Sequence, residues 1–378
     1  MAKKFKVAVI GTGMIANIAH IPAWKALSDQ VEFCGMADII AERAVNTAKS
    51  VGLPASKGYG DPLKMLEECE PDIVSVCTPN CYHKQWTIES LKHGAHVLCE
   101  KPVCPGWADA VEMYKVAEEV GKVLLVGQSA RFMPDAEGAK EIVSTGVLGE
   151  VYYAETSACR RRGVPKWGQF HIKSDNGGGP VFDIGVHSLD ALLWILGSPK
   201  VQAVSSGVYT KIANTDENLK EDLSASGAPE GVLTPRPYSY KEFSVEDFAA
   251  GFMRFEGGMT LFLKSSWAAN IPNTGFGGTF ALGTKAGLQL HPLTLLGTTG
   301  AYTSDTIINL PTAPNVPFVG HRGETAHMLK VIAGEEEIRV KKEEVLNVIL
   351  ALELMYRSSE AGREVKAGEI TGCCGCTK

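Results

Sequence analysis

The first third of the chain alternates short apolar runs with segments in which apolar residues recur every three or four positions. The apolar runs predict buried strands at Val7–Ile10, Val31–Ala37, Ile73–Cys77, His96–Cys99 and Val123–Val126. The periodic segments predict helices at Met14–Leu27, Ala41–Val51, Pro62–Cys69, Tyr82–His93 and Ala108–Val120. Alternating strands and helices form a parallel sheet that is covered on both faces. We therefore expect a doubly wound α/β domain over residues 1–128.

After residue 128, strand patterns follow one another with few helices between them. The predicted strands are Val151–Cys159, Val201–Thr210, Phe248–Phe255, Met259–Trp267 and Gly278–Leu282. Helices are predicted over Asp183–Leu196 and Glu343–Ser358, and the polar, proline-containing segment Asn214–Tyr240 predicts a surface loop. Successive strands favour antiparallel pairing. We therefore expect residues 129–378 to form an α/β domain with an open, mainly antiparallel sheet.

Composition and charge narrow the class of protein. The chain has 378 residues, enough for two domains, and 45% hydrophobic with 21% charged residues is ordinary for a globular protein. A net charge of −6 lacks the basic excess of nucleic-acid-binding proteins. The run Val7–Ile10 is too short for a signal peptide or a membrane span. Cysteines such as Cys34, Cys77, Cys99 and Cys159 lie in apolar segments and predict reduced thiols. We expect a cytoplasmic protein that binds neither nucleic acid nor membrane.

A glycine-rich loop, Gly11–Ala16, follows the first strand and opens the first helix. Gly11 permits the tight turn, and Gly13 lets the backbone approach a pyrophosphate. Ala16 replaces the third glycine where the helix and the strand pack closely. This loop predicts a dinucleotide-binding site.

Asp38 ends the second predicted strand, at the separation expected for a carboxylate that binds the adenosine ribose. Its charge repels a 2′-phosphate, so the sequence favours NAD over NADP. Arg43 is the residue that weakens this preference, because a guanidinium can compensate a phosphate. The predicted contacts of this region are Gly11, Gly13, Met14, Ile15 and Asp38.

Two further strand ends carry candidate ligand contacts, because open α/β sheets bind ligands at the carboxyl ends of their strands. Thr78, Pro79 and Asn80 follow one strand, where proline and asparagine also simply favour a turn. His83, in the next helix, either reaches the cofactor or packs there. Lys101, in Glu100-Lys101-Pro102, follows another strand. Its ammonium can stabilise an alkoxide or relay a hydroxyl proton.

Three consecutive glycines, Gly177–Gly179, precede a helical pattern in which Asp183 and His187 lie one turn apart. Their neighbours are apolar, so these polar side chains need partners. Histidine is the side chain whose unperturbed pKa lies near neutrality, so His187 is the expected proton acceptor, with Asp183 orienting it or binding a substrate hydroxyl.

We expect no catalytic metal, because a zinc site needs more imidazole or thiolate ligands than this pair supplies. The tail cysteines Cys373, Cys374 and Cys376 also lack a fourth ligand, and we expect no function for them.

Together, the segments Gly11–Ala16, Glu100–Pro102 and Gly177–His187 resemble the Gfo/Idh/MocA oxidoreductase family in order and spacing, and the resemblance covers nearly the whole chain. It implies a Rossmann domain followed by an α/β domain whose open sheet often forms the oligomer contact. We therefore expect a homodimer or homotetramer that assembles through the second sheet, and assign residues 129–378 to substrate binding and oligomerisation. The implied catalytic residues are Lys101, Asp183 and His187.

The resemblance also implies ligand contacts. The segment Arg160–Gly168 is similar to the family's loop over cofactor and substrate, where Trp167 would stack on nicotinamide or on a sugar; the alternative is a solvated basic turn. Gln128 and Arg131 resemble a family pattern near the nicotinamide. The further candidate cofactor contacts are Thr78, Pro79, Asn80, His83, Glu100, Lys101, Gln128 and Trp167. The candidate substrate contacts are Lys101, Arg131, Tyr153, Arg160, His171, Asp183 and His187.

The resemblance implies a reversible NAD-dependent dehydrogenase that acts on a secondary alcohol of a sugar, glycoside or cyclitol. One alternative is an enzyme that holds NAD tightly and uses transient oxidation for elimination, hydrolysis or epimerisation. Another is a sensor that binds nucleotide and sugar without turnover. The combined presence of Lys101, Asp183 and His187 argues against the sensor.

Overall fold

Six short apolar segments form a parallel sheet in the first of two units. The computed structural model describes residues 4–215, 238–272, 278–311 and 315–372. The strands are β1 (Phe5–Ile10), β2 (Val31–Ala37), β3 (Gly58–Tyr59), β4 (Ile73–Val76), β5 (His96–Cys99) and β6 (Leu124–Val126). Their order is β3-β2-β1-β4-β5-β6, and every neighbouring pair is parallel. This is the doubly wound Rossmann order, which confirms the predicted fold and places the ligand-binding switch point between β1 and β4.

Helices connect these strands. They are α1 (Ile21–Lys25), α2 (Ala41–Ser50), α3 (Pro62–Cys69), α4 (His83–Lys92) and α5 (Trp107–Glu119). Short 3₁₀ turns occupy Ala55–Lys57, Asn80–Tyr82 and Ser129–Phe132. Asp61 caps α3, since its carboxylate accepts from the Leu63 N–H at 2.9 Å and proline follows at the first helical position. The helix predicted over Met14–Leu27 is present over residues 14–25, and it contains a π-helical turn, Ala16–His20, before α1.

Nine strands form the sheet of the second unit. They are β7 (Val151–Cys159), β8 (Val201–Tyr209), β9 (Phe248–Phe255), β10 (Thr260–Ser266), β11 (Phe280–Gly283), β12 (Gly287–Gln289), β13 (Thr294–Thr299), β14 (Tyr302–Ile307) and β15 (Val365–Lys366). Their order is β14-β13-β12-β11-β7-β10-β9-β8-β15. Only β7 and β10 pair in parallel among these neighbours. The prediction of a mainly antiparallel sheet is confirmed.

The remaining helices cover one face of this sheet or return to the first unit. They are α6 (Pro134–Ser144), α7 (Lys173–Asn176), a π-helical turn (Val181–Gly185), α8 (Val186–Ile195), 3₁₀ turns (Tyr240–Glu242 and Glu256–Gly258), α9 (Val319–Ile332), α10 (Lys342–Ala361) and α11 (Gly368–Thr371). Ala154, Leu261 and Leu263 are buried on the sheet face against which the π-turn and α8 pack. The helix predicted over Asp183–Leu196 is therefore real, but its first turn is π-helical.

The two units do not divide at a single point of the chain. Among the described residues, the first unit contains 4–129 and 315–342, and the second contains 130–215, 238–272, 278–311 and 343–372. Helix α9 returns to the first unit because it packs against α1 and the preceding π-turn. The predicted boundary at residue 128 assigns α9 to the second domain, whereas α9 belongs to the first unit.

Other sequence expectations concern thiols, membranes and loops. The seven described cysteines are free thiols, and those of Cys77 and Cys99 are buried. No described helix has the length and apolar character needed to cross a membrane. Most of the predicted loop Asn214–Tyr240, and the tail cysteines Cys373, Cys374 and Cys376, lie outside the described residues.

Candidate active site

The glycine loop between β1 and the first π-turn is shaped by contacts with neighbouring backbone. Gly11 has a φ of +87°, and a Cβ added there would lie 2.7 Å from the carbonyl carbon and oxygen of Cys77. Only glycine fits that position. A Cβ added at Gly13 would meet no described atom within 4 Å. Packing within the protein therefore does not require glycine at position 13. The open space beside Gly13 is what a backbone that approaches a ligand needs.

Asp38 is tied directly to this loop. One carboxylate oxygen accepts from the Thr12 backbone N–H at 2.9 Å and from the Thr12 hydroxyl at 3.2 Å, and the other accepts from the Ile40 N–H at 2.9 Å. Because each carboxylate oxygen has more than one lone pair, these bonds leave acceptor capacity for hydroxyl groups. The structure thus fixes a carboxylate beside the phosphate-binding loop.

Two buried polar atoms in the first unit, Thr78 Oγ1 and Gln128 Oε1, have no hydrogen-bond partner among the described residues. Thr78 follows β4 and Gln128 follows β6. Buried polar atoms are normally paired, so such atoms indicate a place for a ligand or an ordered water. This fits their prediction as cofactor contacts.

Unlike Thr78 and Gln128, His83 has protein contacts for both of its ring nitrogens. Its ring nitrogens lie 2.7 Å from the Pro102 carbonyl and 2.8 Å from the Thr78 carbonyl, and the ring is fully buried. Burial lowers its pKa. Of the two roles that the sequence left open, packing explains both ring nitrogens, because His83 links the turn after β4 to the segment that contains Lys101.

Lys101 follows β5 and is partly exposed, and its backbone N–H donates to Glu100 Oε2 at 3.0 Å. The other oxygen of Glu100 lies 2.7 Å from His20 Nε2 and 3.5 Å from His321 Nε2. Burial raises the pKa of Glu100, but hydrogen bonds from both imidazoles outweigh it and hold the pKa well below its usual range. The carboxylate that was predicted to contact the cofactor is therefore engaged by groups of its own unit. No local sequence motif pointed to the two histidines.

In the second unit, the three glycines wrap around a buried carboxylate. Glu246 accepts from the Gly179 N–H at 2.9 Å, the Val181 N–H at 3.0 Å and the Tyr356 hydroxyl at 2.8 Å. A Cβ on Gly178 would overlap Tyr356 Oη, and one on Gly179 would overlap the Glu246 carbonyl oxygen. Burial raises the pKa of Glu246. Glu246 and Tyr356 thus fix the start of the π-turn, and sequence reasoning missed both because they lie far away in the chain.

Asp183 and His187 are partly exposed on a helical segment whose residues Phe182, Val186 and Leu189 are buried. Both polar side chains therefore lie on its accessible side. Asp183 Oδ2 accepts from Trp267 Nε1 at 2.9 Å. This bond, which the sequence did not reveal, holds the carboxylate in place.

Arg131 has a structural environment rather than that of a substrate contact. Its guanidinium donates to both oxygens of Asp190, at 2.8 Å and 2.7 Å, and also to Glu344. The Arg131 side chain is completely buried. Pairing with two carboxylates supports a structural role for this guanidinium, and its assignment to substrate binding stays a prediction.

Tyr153 also departs from expectation. Its hydroxyl donates to Glu155 at 3.0 Å, and Glu155 accepts from Lys264 at 2.6 Å. Side chains alternate along a strand, and the intervening Ala154 is buried on the face that α8 covers. Tyr153 thus lies on the opposite face of the sheet from Asp183 and His187, which argues against a shared substrate contact within one chain.

The remaining candidates lie after β7. Arg160 Nη1 donates to the Gly163 carbonyl at 3.1 Å. Trp167 is buried with its ring edge-to-face against Phe170, and its indole nitrogen has no partner in the described part of the chain. His171 is buried between the rings of Tyr238 and Phe243. Their assignment to ligand binding stays a prediction.

The fold and the glycine loop define a dinucleotide-binding oxidoreductase. Residues 5–128 match the Gfo/Idh/MocA oxidoreductase family with its NAD-binding Rossmann fold, and residues 137–302 match the Gfo/Idh/MocA C-terminal domain. The chain belongs to this family, which confirms the resemblance stated from the sequence.

Three similar proteins illustrate the membership. The chain is 37% identical over 287 residues to D-glucoside 3-dehydrogenase of Escherichia coli (strain K12), covering 76% of this chain and 77% of the relative. It is 25% identical over 363 residues to D-xylose 1-dehydrogenase (NADP(+)) 2 of Haloferax volcanii, covering 95% and 98%. The crystal structure of an oxidoreductase domain protein from Kribbella flavida superposes with a TM-score of 0.78 at 21% identity, covering 97% and 100%, and supports the fold alone. The prediction of an oxidoreductase acting on CH–OH groups is confirmed.

Proposed function

We propose that the protein transfers hydride between NAD and a secondary alcohol of a sugar, glycoside or cyclitol. The observation that carries the proposal is the accessible pair Asp183 and His187 on a largely apolar helix, whose start is held by the buried Glu246. The similarity to D-glucoside 3-dehydrogenase supports glycosides as the first substrates to test.

Each catalytic residue has a distinct proposed role. In oxidation, His187 accepts the hydroxyl proton, and Asp183, held by Trp267, orients the imidazole or binds a neighbouring hydroxyl. Lys101 stabilises the developing alkoxide charge. The bound nicotinamide supplies the hydride acceptor. In reduction, His187 returns the proton to the same oxygen.

We test these roles with Lys101→Ala and His187→Ala. Each substitution is expected to lower turnover about 10²- to 10⁴-fold, the range for loss of a positioned acid or base, with a much smaller change in nucleotide affinity. Lys64→Ala and His93→Ala are matched controls, because both side chains are exposed on helices of the first unit. Near-normal turnover in either catalytic variant would refute that residue's role.

The alternative with a permanently bound NAD is tested by stoichiometry. Product and NADH are counted in one reaction with a glycoside, and the purified protein is analysed for bound nucleotide. A dehydrogenase gives one NADH per product. Abundant product without NADH, from protein that retains NAD, would replace our proposal with the internal redox cycle.

We also propose NAD rather than NADP as the cofactor. The residues that would hold it include Gly11, Gly13, Asp38, Thr78 and Gln128, and the charge of Asp38 beside the loop disfavours a 2′-phosphate. The ratio of kcat/KM with the two cofactors is the test. Asp38→Ser should shift this ratio toward NADP, and equal or better use of NADP by the unaltered protein would refute the preference and direct attention to Arg43.

Self-association and location remain proposals of the same kind. The outward face of the second sheet presents partly exposed Phe252 and Phe262, which supports a homodimer or homotetramer assembled through that sheet. Light scattering should detect the oligomer, and Phe262→Glu should dissociate it. Free thiols support a cytoplasmic location, and the net charge of −6 supports a small-molecule substrate rather than nucleic acid.

A further inference from the structure

Three metal-ligating side chains converge inside the first unit. His20 ends the first π-turn, Glu100 follows β5, and His321 lies in α9, so the chain brings them together from three distant segments. The two imidazole Nε2 atoms lie 2.7 Å and 3.5 Å from the same oxygen of Glu100, and all three ligand atoms are within 4.8 Å of one another. His20 is 1% exposed and Glu100 is 5% exposed. The cluster is thus enclosed, and His321 is its more accessible member.

The buried carboxylate oxygen of Glu100 lies between the Nε2 atoms of two imidazoles. An ionised carboxylate inside a protein needs a compensating cation, which is either a proton shared with an imidazole or a metal ion. The second ring nitrogen of His20 is buried and has no partner in the described residues. In this structure Nε2 faces the carboxylate and carries the proton, so Zn²⁺ binding at Nε2 would release that proton and leave the lone pair of Nε2 for the metal.

The donor set selects a class of cation. Two imidazole nitrogens and one carboxylate oxygen suit Zn²⁺ and its spectroscopic substitute Co²⁺. Ca²⁺ and Mg²⁺ prefer sites made of oxygen ligands alone. Three protein ligands also leave a fourth position of a tetrahedral zinc site for water.

We propose that His20, Glu100 and His321 form a binding site for one Zn²⁺ ion in the first unit. Glu100 also accepts from the backbone N–H of Lys101, so the proposed metal site adjoins that catalytic candidate. The site differs from the sequence expectation of no metal because the three ligands belong to segments that no local motif links.

Metal binding is tested directly on the full-length protein. After chelation, the protein is titrated with Co²⁺ and followed by visible absorption, and Zn²⁺ retained after gel filtration is measured by elemental analysis. One equivalent per chain is expected. Affinity should fall as pH decreases through the range in which free imidazoles protonate, near pH 6.5, because protons compete for the same nitrogens.

Variants identify the ligands. His321→Gln should lower Zn²⁺ affinity by at least about 100-fold, since even changes outside the ligand set cost about 10- to 100-fold. His93→Gln is the matched control, because its exposed ring lies at the end of α4 and bonds the Glu89 carbonyl of that helix. A Cys373→Ser/Cys374→Ser/Cys376→Ser variant separates this site from the thiols of the tail.

The outcomes are decisive in both directions. Zn²⁺ should raise the melting temperature of the unaltered protein, of His93→Gln and of the tail variant, but not that of His321→Gln. Circular dichroism verifies that His321→Gln is folded, and Glu100→Gln provides a second ligand variant. Binding that is absent, that persists in both ligand variants, or that disappears only in the tail variant would overturn the proposal and leave a hydrogen-bonded triad.

Discussion

Replacing Gly178 by alanine should test whether the three glycines exist to accommodate a buried partner. Gly178 does not have a positive φ, so backbone conformation alone does not demand glycine there. Its added Cβ would instead overlap Tyr356 Oη and lie 2.7 Å from Tyr356 Cζ and 2.8 Å from a ring carbon of Phe182. Tyr356 would have to move, and its 2.8 Å hydrogen bond to Glu246 would be lost.

The magnitude follows from these two effects. Overpacking a core position costs about 1–3 kcal/mol, and a hydrogen bond to a charged group contributes about 1.5–3 kcal/mol. Gly178→Ala should therefore destabilise the second unit by about 2.5–6 kcal/mol, and Tyr356→Phe by about 1.5–3 kcal/mol. Both single variants lose the same Tyr356–Glu246 hydrogen bond, which the double variant can lose only once. Phenylalanine at position 356 also lacks the Oη atom that the added Cβ would overlap. The double variant should thus be less destabilised than the sum by about 1.5–3 kcal/mol.

Native-state hydrogen exchange of amides in β10 and α8 measures this coupling in the second unit without requiring the whole chain to unfold in one step. Gly278→Ala is the control, because its added Cβ meets no described atom within 4 Å, and its effect should stay within about 0.5 kcal/mol. Strictly additive effects of Gly178→Ala and Tyr356→Phe would refute the steric reasoning, as would a neutral Gly178→Ala.

Two other regions give separate predictions. Arg131→Met should destabilise the second unit by about 3–5 kcal/mol, because Asp190 becomes an uncompensated buried charge; urea unfolding measures it, and the exposed Arg357→Met should have almost no effect. Hydrogen bonds from Cys34 and Tyr59, together with the charge of Lys57, lower the pKa of Cys69 to about 6 despite its burial. Alkylation of Cys69, followed by mass spectrometry, should therefore increase as pH rises through about 6, whereas Cys34, whose pKa is raised, should resist; equal labelling of both thiols would contradict this.

The elements that were predictable from sequence are those whose signal is local. β1, β2, β4 and β5 are mainly apolar runs, and the loop after β1 carries its own glycines, so both the strands and the switch point could be placed. Strands β13 and β14 were missed because their threonine and serine residues are largely exposed and show no alternation with buried positions. Helix α9 was missed as a member of the first unit, since its return there depends on tertiary packing rather than on its own sequence.

In the candidate site too, residues in local motifs were predictable from sequence, whereas residues that depend on tertiary contacts were not. Lys101, Asp183 and His187 were recognised because each sits in a short motif, but the groups that hold those motifs come from distant segments. Glu246 anchors the backbone N–H groups of Gly179 and Val181 from 67 and 65 residues away. A buried carboxylate of this kind satisfies donors that a helix start leaves unpaired. The Tyr356 side chain and the Glu246 backbone carbonyl leave no room for a Cβ on Gly178 and Gly179. The glycine run is therefore explained as the complement of a remote side chain, which is why its spacing was visible in the sequence while its cause was not.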